Sequence, residues 1–334
     1  MGDSLTVVAR RRQYAKRMSI AAAVTIDYAT PDDVPAAAAV YQAAAIDLGE
    51  RLRAKTPWLS ATARSEDLRQ ATGVLQHLLD LDTRSVVVAR DGGRIVGMAA
   101  VQIQPPHAHI AFLFVHPDAQ ERGIGRDLLD HLQAVISGSG ATIVTLTSSR
   151  DPRAMQRYFR FGLVPGLPVI ALRAQNPSLP NRMPLHPGLS IRPTTMDDLD
   201  AIADLDRVVR GADRRTDIET WLRDDGGLLA IDRQTGKVEG YCLVSTRPQH
   251  CQIGPVASRT REAFPVMLDL TLHLANLHPN PRNLAWRVDA SARNTVMIDP
   301  LLRAGFAVDA MLTWFESGSI ETWDRYIFRD EDAL

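Results

Sequence analysis

The stretch Val115-His116-Pro117-Asp118-Ala119-Gln120-Glu121-Arg122-Gly123-Ile124-Gly125-Arg126 lies between two segments of different periodicity. Before it, Ile110-Ala111-Phe112-Leu113-Phe114-Val115 is a short continuous apolar run of the buried-strand kind. After it, Leu128, Leu129, Leu132, Val135 and Ile136 recur at helical spacing on one face. The stretch therefore joins a strand to the start of a helix. The first amides of a helix lack intrahelical partners and carry the positive end of its dipole, and Gly123 and Gly125 have no Cβ to hold phosphate oxygens away. Arg122 and Arg126 add positive charge. This chemistry suits a pyrophosphate, although a turn with a helix cap satisfies the same spacing with no ligand.

Outward from the loop, Ile143-Val144-Thr145-Leu146 reads as the next strand, followed by a helix that ends in Tyr158-Phe159-Arg160-Phe161-Gly162-Leu163 with Gly162 as its C-cap. Toward the N-terminus, Ser85-Val86-Val87-Val88-Ala89 is a buried-strand run, then a turn at Gly93 and a second strand through Gly97: a hairpin. The chain then repeats itself. Thr25-Ile26-Asp27-Tyr28-Ala29-Thr30-Pro31-Asp32-Asp33-Val34 answers to Ser190-Ile191-Arg192-Pro193-Thr194-Thr195-Met196-Asp197-Asp198-Leu199, each a strand leading into a Thr/Asp helix cap. Leu228-Leu229-Ala230-Ile231 with Gly236 and Gly240 repeats the hairpin, and Leu301-Leu302-Arg303-Ala304-Gly305-Phe306 repeats the capped helix. Between the copies, residues 176–188 hold four prolines in thirteen positions, which neither a helix nor a central strand accommodates. Strands interleaved with helices on a mixed sheet give an α/β architecture occurring twice. The expected units are a basic tail over 1–24, a domain over 25–175, a linker over 176–188 and a second domain over 189–334, each domain folding on its own core.

Gln120-x-x-Gly123-x-Gly125 after a strand ending Leu113-Phe114-Val115-His116-Pro117 resembles the acetyl-CoA signature of the GNAT superfamily of acyl-CoA N-acyltransferases, and Tyr158-x-x-x-Gly162-Leu163 is similar to that family's second motif. The resemblance implies two tandem GNAT-like domains. It implies that the strand before the loop splays from its neighbour, so that the amides of Phe114 and Val115 hold pantetheine and polarise the thioester carbonyl. Gln120, Glu121, Arg122, Gly123, Ile124, Gly125 and Arg126 would then cradle the pyrophosphate. Carried onto Tyr158, the family's tyrosine is a general acid, a role that suits a thiolate of pKa about 8.5 and a phenol of pKa about 10; a helix tyrosine packed on the sheet is the other reading. His109, just before the strand where some family members place a glutamate, is the candidate base, with a partly exposed histidine of no catalytic role as its alternative. Asp151 stands where the family often has an asparagine that touches pantetheine.

The second copy departs from this pattern. Around Glu262-Ala263-Phe264-Pro265-Val266 the sequence sets Phe264 and Val266 against Gly123 and Gly125, and Pro265 removes an amide donor. Leu301 replaces the tyrosine, while Asn294 keeps the family's asparagine spacing. The expectation is one acetyl-CoA site, in the first copy, with the second covering the acceptor site, making an interface or binding an effector.

Composition limits the alternatives. With 38 basic and 39 acidic side chains the net charge is −1, which lacks the basic footprint of a nucleic-acid binder. No run approaches the ~20 apolar residues of a membrane span. Two cysteines, Cys242 and Cys251, suggest neither a disulfide framework nor a zinc site, so a reducing, cytoplasmic setting is expected. His107, His109 and His116 lack a carboxylate or thiol at ligand spacing, and no metal is expected. The activity expected is transfer of an acetyl group from acetyl-CoA to a primary amine of a small molecule or peptide, by direct attack; a non-catalytic acetyl-CoA sensor or scaffold is the alternative. A homodimer is one expectation, and satisfaction of the family's pairing interface within the chain is the other.

Overall fold

The computed structural model describes residues 24–52, 61–149, 151–183 and 185–329. The basic segment 1–23 lies outside the described residues. The first half runs β1 (Thr25–Tyr28), α1 (Val34–Arg51), α2 (Ala61–Leu81), β2 (Val86–Asp91), β3 (Arg94–Gln104), β4 (His107–Val115), α3 (Ile124–Ser137), β5 (Ile143–Ser148), α4 (Pro152–Arg160), β6 (Val164–Pro165) and β7 (Val169–Ala174). The second runs β8 (Leu189–Pro193), α5 (Leu199–Arg210), α6 (Arg215–Asp224), β9 (Gly226–Asp232), β10 (Val238–Thr246), β11 (His250–Ser258), α7 (Phe264–Leu277), β12 (Ala285–Ser291), α8 (Ile298–Arg303), β13 (Ala307–Glu316) and β14 (Tyr326–Ile327).

The repeat extends to side-chain detail. Thr30 donates from its backbone amide and its hydroxyl to Asp33 at 2.8 Å each, and Thr195 does the same to Asp198 at 2.8 and 3.1 Å. Each aspartate is clamped from a strand of its own half, Asp33 by Arg90 at 2.8 Å and Asp198 by Arg192 at 2.7 and 2.5 Å. The hydrogen bond from Arg90 holds the Asp33 carboxyl down at about 2. Both caps satisfy free amides that open a helix.

The halves share one mixed sheet in the order β1-β2-β3-β4-β5-β13-β7-β12-β11-β10-β9-β8. Its centre is an exchange of strands. β13, from the second half, pairs antiparallel with β5, β6 and β7 of the first; β7, from the first half, pairs antiparallel with β12 of the second. Alternation along β13 sends Phe315 into the core of the first half with Leu128, Leu132 and Tyr158, and Trp314 into the second with Tyr326, Trp323 and Phe328. Leu172 and Ala174 of β7 lie in the second half's other core layer with Phe264 and Met267. The boundaries 25–175 and 189–334 therefore do not separate self-sufficient folds, because each half lacks a central strand that the other supplies.

Where the halves meet on one face, the Asp217 carboxylate of α6 accepts from Gln102 on β3 at 3.2 Å and also from Gln104, and pairs with His77 on α2 at 2.9 Å. Beside this cluster His109 stacks on Trp314, ring centroids 5.5 Å apart, with its Nδ1 3.0 Å from the Thr145 hydroxyl. His107 and His109 are buried, and burial first, then the charge of Arg210, lowers their pKa values to about 4 and about 3.

Two outcomes follow from this junction. A fragment of residues 25–175 exposes unpaired edges on β5 and β7 and loses the burial of Phe315, worth about 1.5–3 kcal/mol by itself; it is expected to show no cooperative urea transition by circular dichroism, whereas the full chain unfolds in one step. Because His107 and His109 are harder to protonate folded than unfolded, the unfolded chain binds more protons below pH 6.5. Stability then falls as pH drops from about 6.5 toward 4, with a limiting slope of about 1.4 kcal/mol per pH unit for each histidine. His77, raised by its hydrogen bond to Asp217, opposes this with a contribution that is complete at low pH and lost as pH rises. A His107→Gln/His109→Gln double variant is expected to flatten the acid slope in denaturant titrations.

Candidate active site

Parallel pairing of β4 with β5 covers only His107–His109 against Ile143–Thr145. Beyond that point the two strands diverge and leave a V-shaped opening. Its cleft, about 560 Å³, is lined by β4 from Ile110 to Val115, by Leu146, Thr147 and Ser148 of β5, by α1, by the loop into α3, and by α4.

On the β4 side of the V the ladder with β3 determines which amides are free. His116 donates to the Val96 carbonyl, and the register pairs Val115 with Gly97, Phe114 with Met98 and Leu113 with Ala99. Amides alternate in direction along a strand, so Phe114 points its N–H to β3 while Leu113 and Val115 present theirs to the cleft. The expectation for Val115 is compatible with this phase; that for Phe114 is not, and Leu113 takes its place. The Phe114 side chain nonetheless lines the cleft. A bulge that leaves Ala111 without a partner brings this about, because it shifts the alternation of β4 between Ile110 and Phe112.

Across the loop, His116 starts a short turn, Gly123 takes φ +86° as N-cap of α3, and Glu121 takes φ +66°. A side chain at the Gly123 conformation costs of order 1 kcal/mol or more. At Gly125 an added Cβ would stand 3.0 Å from the Arg157 guanidinium carbon, so glycine keeps that approach open. Gln120, Glu121, Gly123, Ile124, Gly125 and Arg126 all line the cleft. Gln120 also donates to the Val115 carbonyl at 3.2 Å, tying the loop to the end of the strand. Arg122 is the exception: it pairs with Asp91 at 2.7 Å and its side chain lies outside the lining. Sequence reading missed Arg51, Arg153, Arg157 and Arg160, which join Arg126 around the cleft. Their positive charge, with the α3 amides, forms a surface suited to phosphate.

Tyr158 lines the β5 arm of the V, 7% exposed, hydrogen-bonded to Ser148 at the end of β5. Burial raises its pKa, so the phenol holds its proton at neutral pH and is able to donate it. Asp151 caps α4 by accepting from the Arg153 amide at 3.0 Å and pairs with Arg51 at 2.9 Å. Burial opposes its ionisation, yet the hydrogen bond from Arg51 and the bond and charge of Arg153 keep its carboxyl below the ordinary value. His109 is not brought to the cleft. It is 5% exposed, sealed under Trp314, and lines a separate crevice with Arg210 and Trp323. The second half closes over the start of β4, which removes His109 as a base for this cleft.

The second half shows what became of the equivalent opening. β11 pairs parallel with β12 only over His250–Ile253, and the V that follows is filled by the segment Tyr326–Phe328. β14 pairs with β11 at Val256 and Ala257, Phe328 donates to the Asp289 carbonyl of β12 at 2.8 Å, and Asn294 donates to the Tyr326 carbonyl at 3.1 Å. Gly254 admits this segment, since a Cβ there would stand 2.0 Å from the Phe328 carbonyl oxygen. α7 starts at Phe264 with Ala263 as N-cap, so Ala263 and Pro265 match Gly123 and Gly125, one residue off the sequence alignment. The conclusion is strengthened, because Pro265 removes the amide at the matching second helical position. Leu301 is fully buried where Tyr158 stands in the first half. Among the described residues no cluster of three or more His, Cys, Asp or Glu side chains is placed to hold a metal, and no helix is long and apolar enough to cross a membrane.

The model of the acetyltransferase (GNAT) family matches residues 50–163, and that of an acetyltransferase (GNAT) domain matches residues 202–307. No curated protein matches the sequence significantly. Among solved structures the chain is similar to a putative acetyltransferase from Pyrococcus horikoshii, with 17% identity, TM-score 0.66, and 91% of this chain and 93% of that one covered. It is also similar to a GCN5-related N-acetyltransferase from Sphaerobacter thermophilus, at 19% identity and TM-score 0.59, covering 88% and 95%. A third likeness is to a tandem GNAT protein from the clavulanic acid biosynthesis pathway, at 18% identity and TM-score 0.57, covering 89% and 99%. With both halves matched by family models, the chain belongs to the GNAT acetyltransferase family and is an acyltransferase of two tandem GNAT domains.

Proposed function

We propose that the first half transfers an acetyl group from acetyl-CoA to a primary amine by direct attack, with Tyr158 as general acid. The observation that carries this reading is the open V between β4 and β5, with free amides on one arm, a buried, protonated phenol on the other and a glycine-lined helix start beside them. The residues fit the group. Gly125 leaves room where a Cβ would crowd Arg157, and the loop amides with Arg126, Arg153 and Arg157 suit a pyrophosphate. The Leu113 and Val115 N–H groups are directed to donate to the pantetheine chain and to the acyl oxygen, on which negative charge grows as the amine attacks.

Acetyl-CoA supplies an activated thioester. The amine nitrogen forms a bond to the acyl carbon as the carbon–sulfur bond breaks, and the thiolate takes the proton held by Tyr158. The acceptor's ammonium loses one proton to solvent through the cleft before attack, and the second proton released as the amide forms leaves by the same solvent, from which the Tyr158 phenolate is reprotonated. Ser148 orients the phenol, and burial around it limits competing hydrolysis. Buried, unpaired Cys242 and Cys251 fit a cytoplasmic setting.

Thiol release from acetyl-CoA in the presence of an amine panel tests the reading. Wild type is expected to release CoA with at least one amine, and Tyr158→Phe to lower kcat by roughly 10²–10³-fold while acetyl-CoA affinity changes less than about threefold. Tight acetyl-CoA binding without release across the panel would instead favour a sensor.

A further inference from the structure

Tyr41, Ala44, Leu48 and Arg51 fall on one stripe of α1 at helical spacing. Ala44, Leu48 and Arg51 line the cleft, and Tyr41 is the next position along the same stripe. Its ring stands edge-on to Phe112 and Phe114 at centroid distances of 5.4 and 4.9 Å, and Phe114 itself lines the cleft. Both phenylalanines reach this face because of the bulge at Ala111. The Tyr41 hydroxyl donates to Asp67 of α2 at 3.0 Å. An aromatic wall thus runs from the cleft, past Phe114, to a carboxylate.

That carboxylate differs from its neighbours. Asp47 and Asp151 are both held by Arg51, at 2.8 and 2.9 Å. Asp67 is half-buried, and its partner among the described residues is the neutral Tyr41 phenol. Burial disfavours its ionised form, a strain that a cation alongside would relieve. Electron-rich ring faces next to a carboxylate favour the same kind of guest.

We infer that the acceptor carries, besides its reacting amine, a second cationic group that docks against Asp67 and the Tyr41 and Phe114 rings. The inference rests on the amine-acetylation reading. The reacting nitrogen works beside Val115 and Tyr158, whereas Asp67 lies beyond Phe114 and outside the cleft lining, so it meets a distal charge. The substrate class is a diamine or a larger polycation.

The test compares 1,4-diaminobutane with 1-butylamine as acceptors for the full chain and for Asp67→Asn, which keeps an oxygen for the Tyr41 hydroxyl and so preserves the α1–α2 contact. Wild type is expected to prefer the diamine. Asp67→Asn raises the diamine KM by roughly tenfold with kcat within about twofold, leaves the butylamine KM unchanged, and Asp67→Glu restores the preference. Equal effects on both amines, or no preference in wild type, would overturn the inference. If no amine releases CoA, the acetylation reading itself fails. Calorimetric titration of 1,4-diaminobutane into CoA-saturated protein then decides the second question alone: binding weakened by Asp67→Asn supports the cation site, and binding that is absent or unchanged sinks it.

Discussion

The structure depends on the pairing of β13 with β5 and β7 at the centre of the shared sheet. A β-strand edge left unpaired and buried costs free energy for each orphaned backbone group, so a half deprived of its central strand has to recover one elsewhere. Here each half recovers it from the other. The exchange fixes the distance between the domains, carries Trp314 over His109, and brings α6 to the first half, where Asp217 meets His77, Gln102 and Gln104. Through β13 the second half also packs Phe315 against Tyr158, and so takes part in the scaffold of the cleft.

Two V-shaped openings arise from the same strand geometry and meet different fates. In the first, divergence of β4 from β5 leaves backbone amides, arginines and Tyr158 facing a cleft. In the second, the corresponding backbone groups of β11 and β12 are satisfied by β14 and Phe328. Asn294, spaced like the family's pantetheine asparagine, spends its amide on the Tyr326 carbonyl. Tyr326–Phe328 thus fills the position that stands open as a cleft in the first half. Loss of the glycines, the Pro265 substitution and the filling of the V all satisfy one requirement, that no buried polar backbone is left without a partner.

Much of this was legible in the sequence. The Thr30/Asp33 and Thr195/Asp198 caps exposed the repeat, and Gly123, Gly125 and Tyr158 pointed to the cleft they line because their types suit a strand-to-helix turn and a helix end beside it. What escaped was set by long-range pairing. The run Ala307–Glu316 carries apolar residues on both faces, broken by Asp309 and Thr313 on one and Glu316 on the other, a pattern that marks a strand without saying with which half it pairs. The phase of the amides at Phe114 and Val115 depends on the ladder with β3 and on the bulge at Ala111, neither of which a strand's own residues reveal. His109 lost its assigned part because Trp314, more than two hundred positions away, covers it. The offset of one residue at Phe264 arose because the strand-to-helix connection is shorter in the second half, Arg259–Ala263 against His116–Gly123 in the first.

The central claim is that one half keeps a working acyl-CoA site while the other has filled its own with Tyr326–Phe328. Calorimetric titration of acetyl-CoA into the full chain tests it most directly through stoichiometry. The account predicts one molar equivalent bound. Two equivalents, or one equivalent that survives Gly125→Trp, would contradict it.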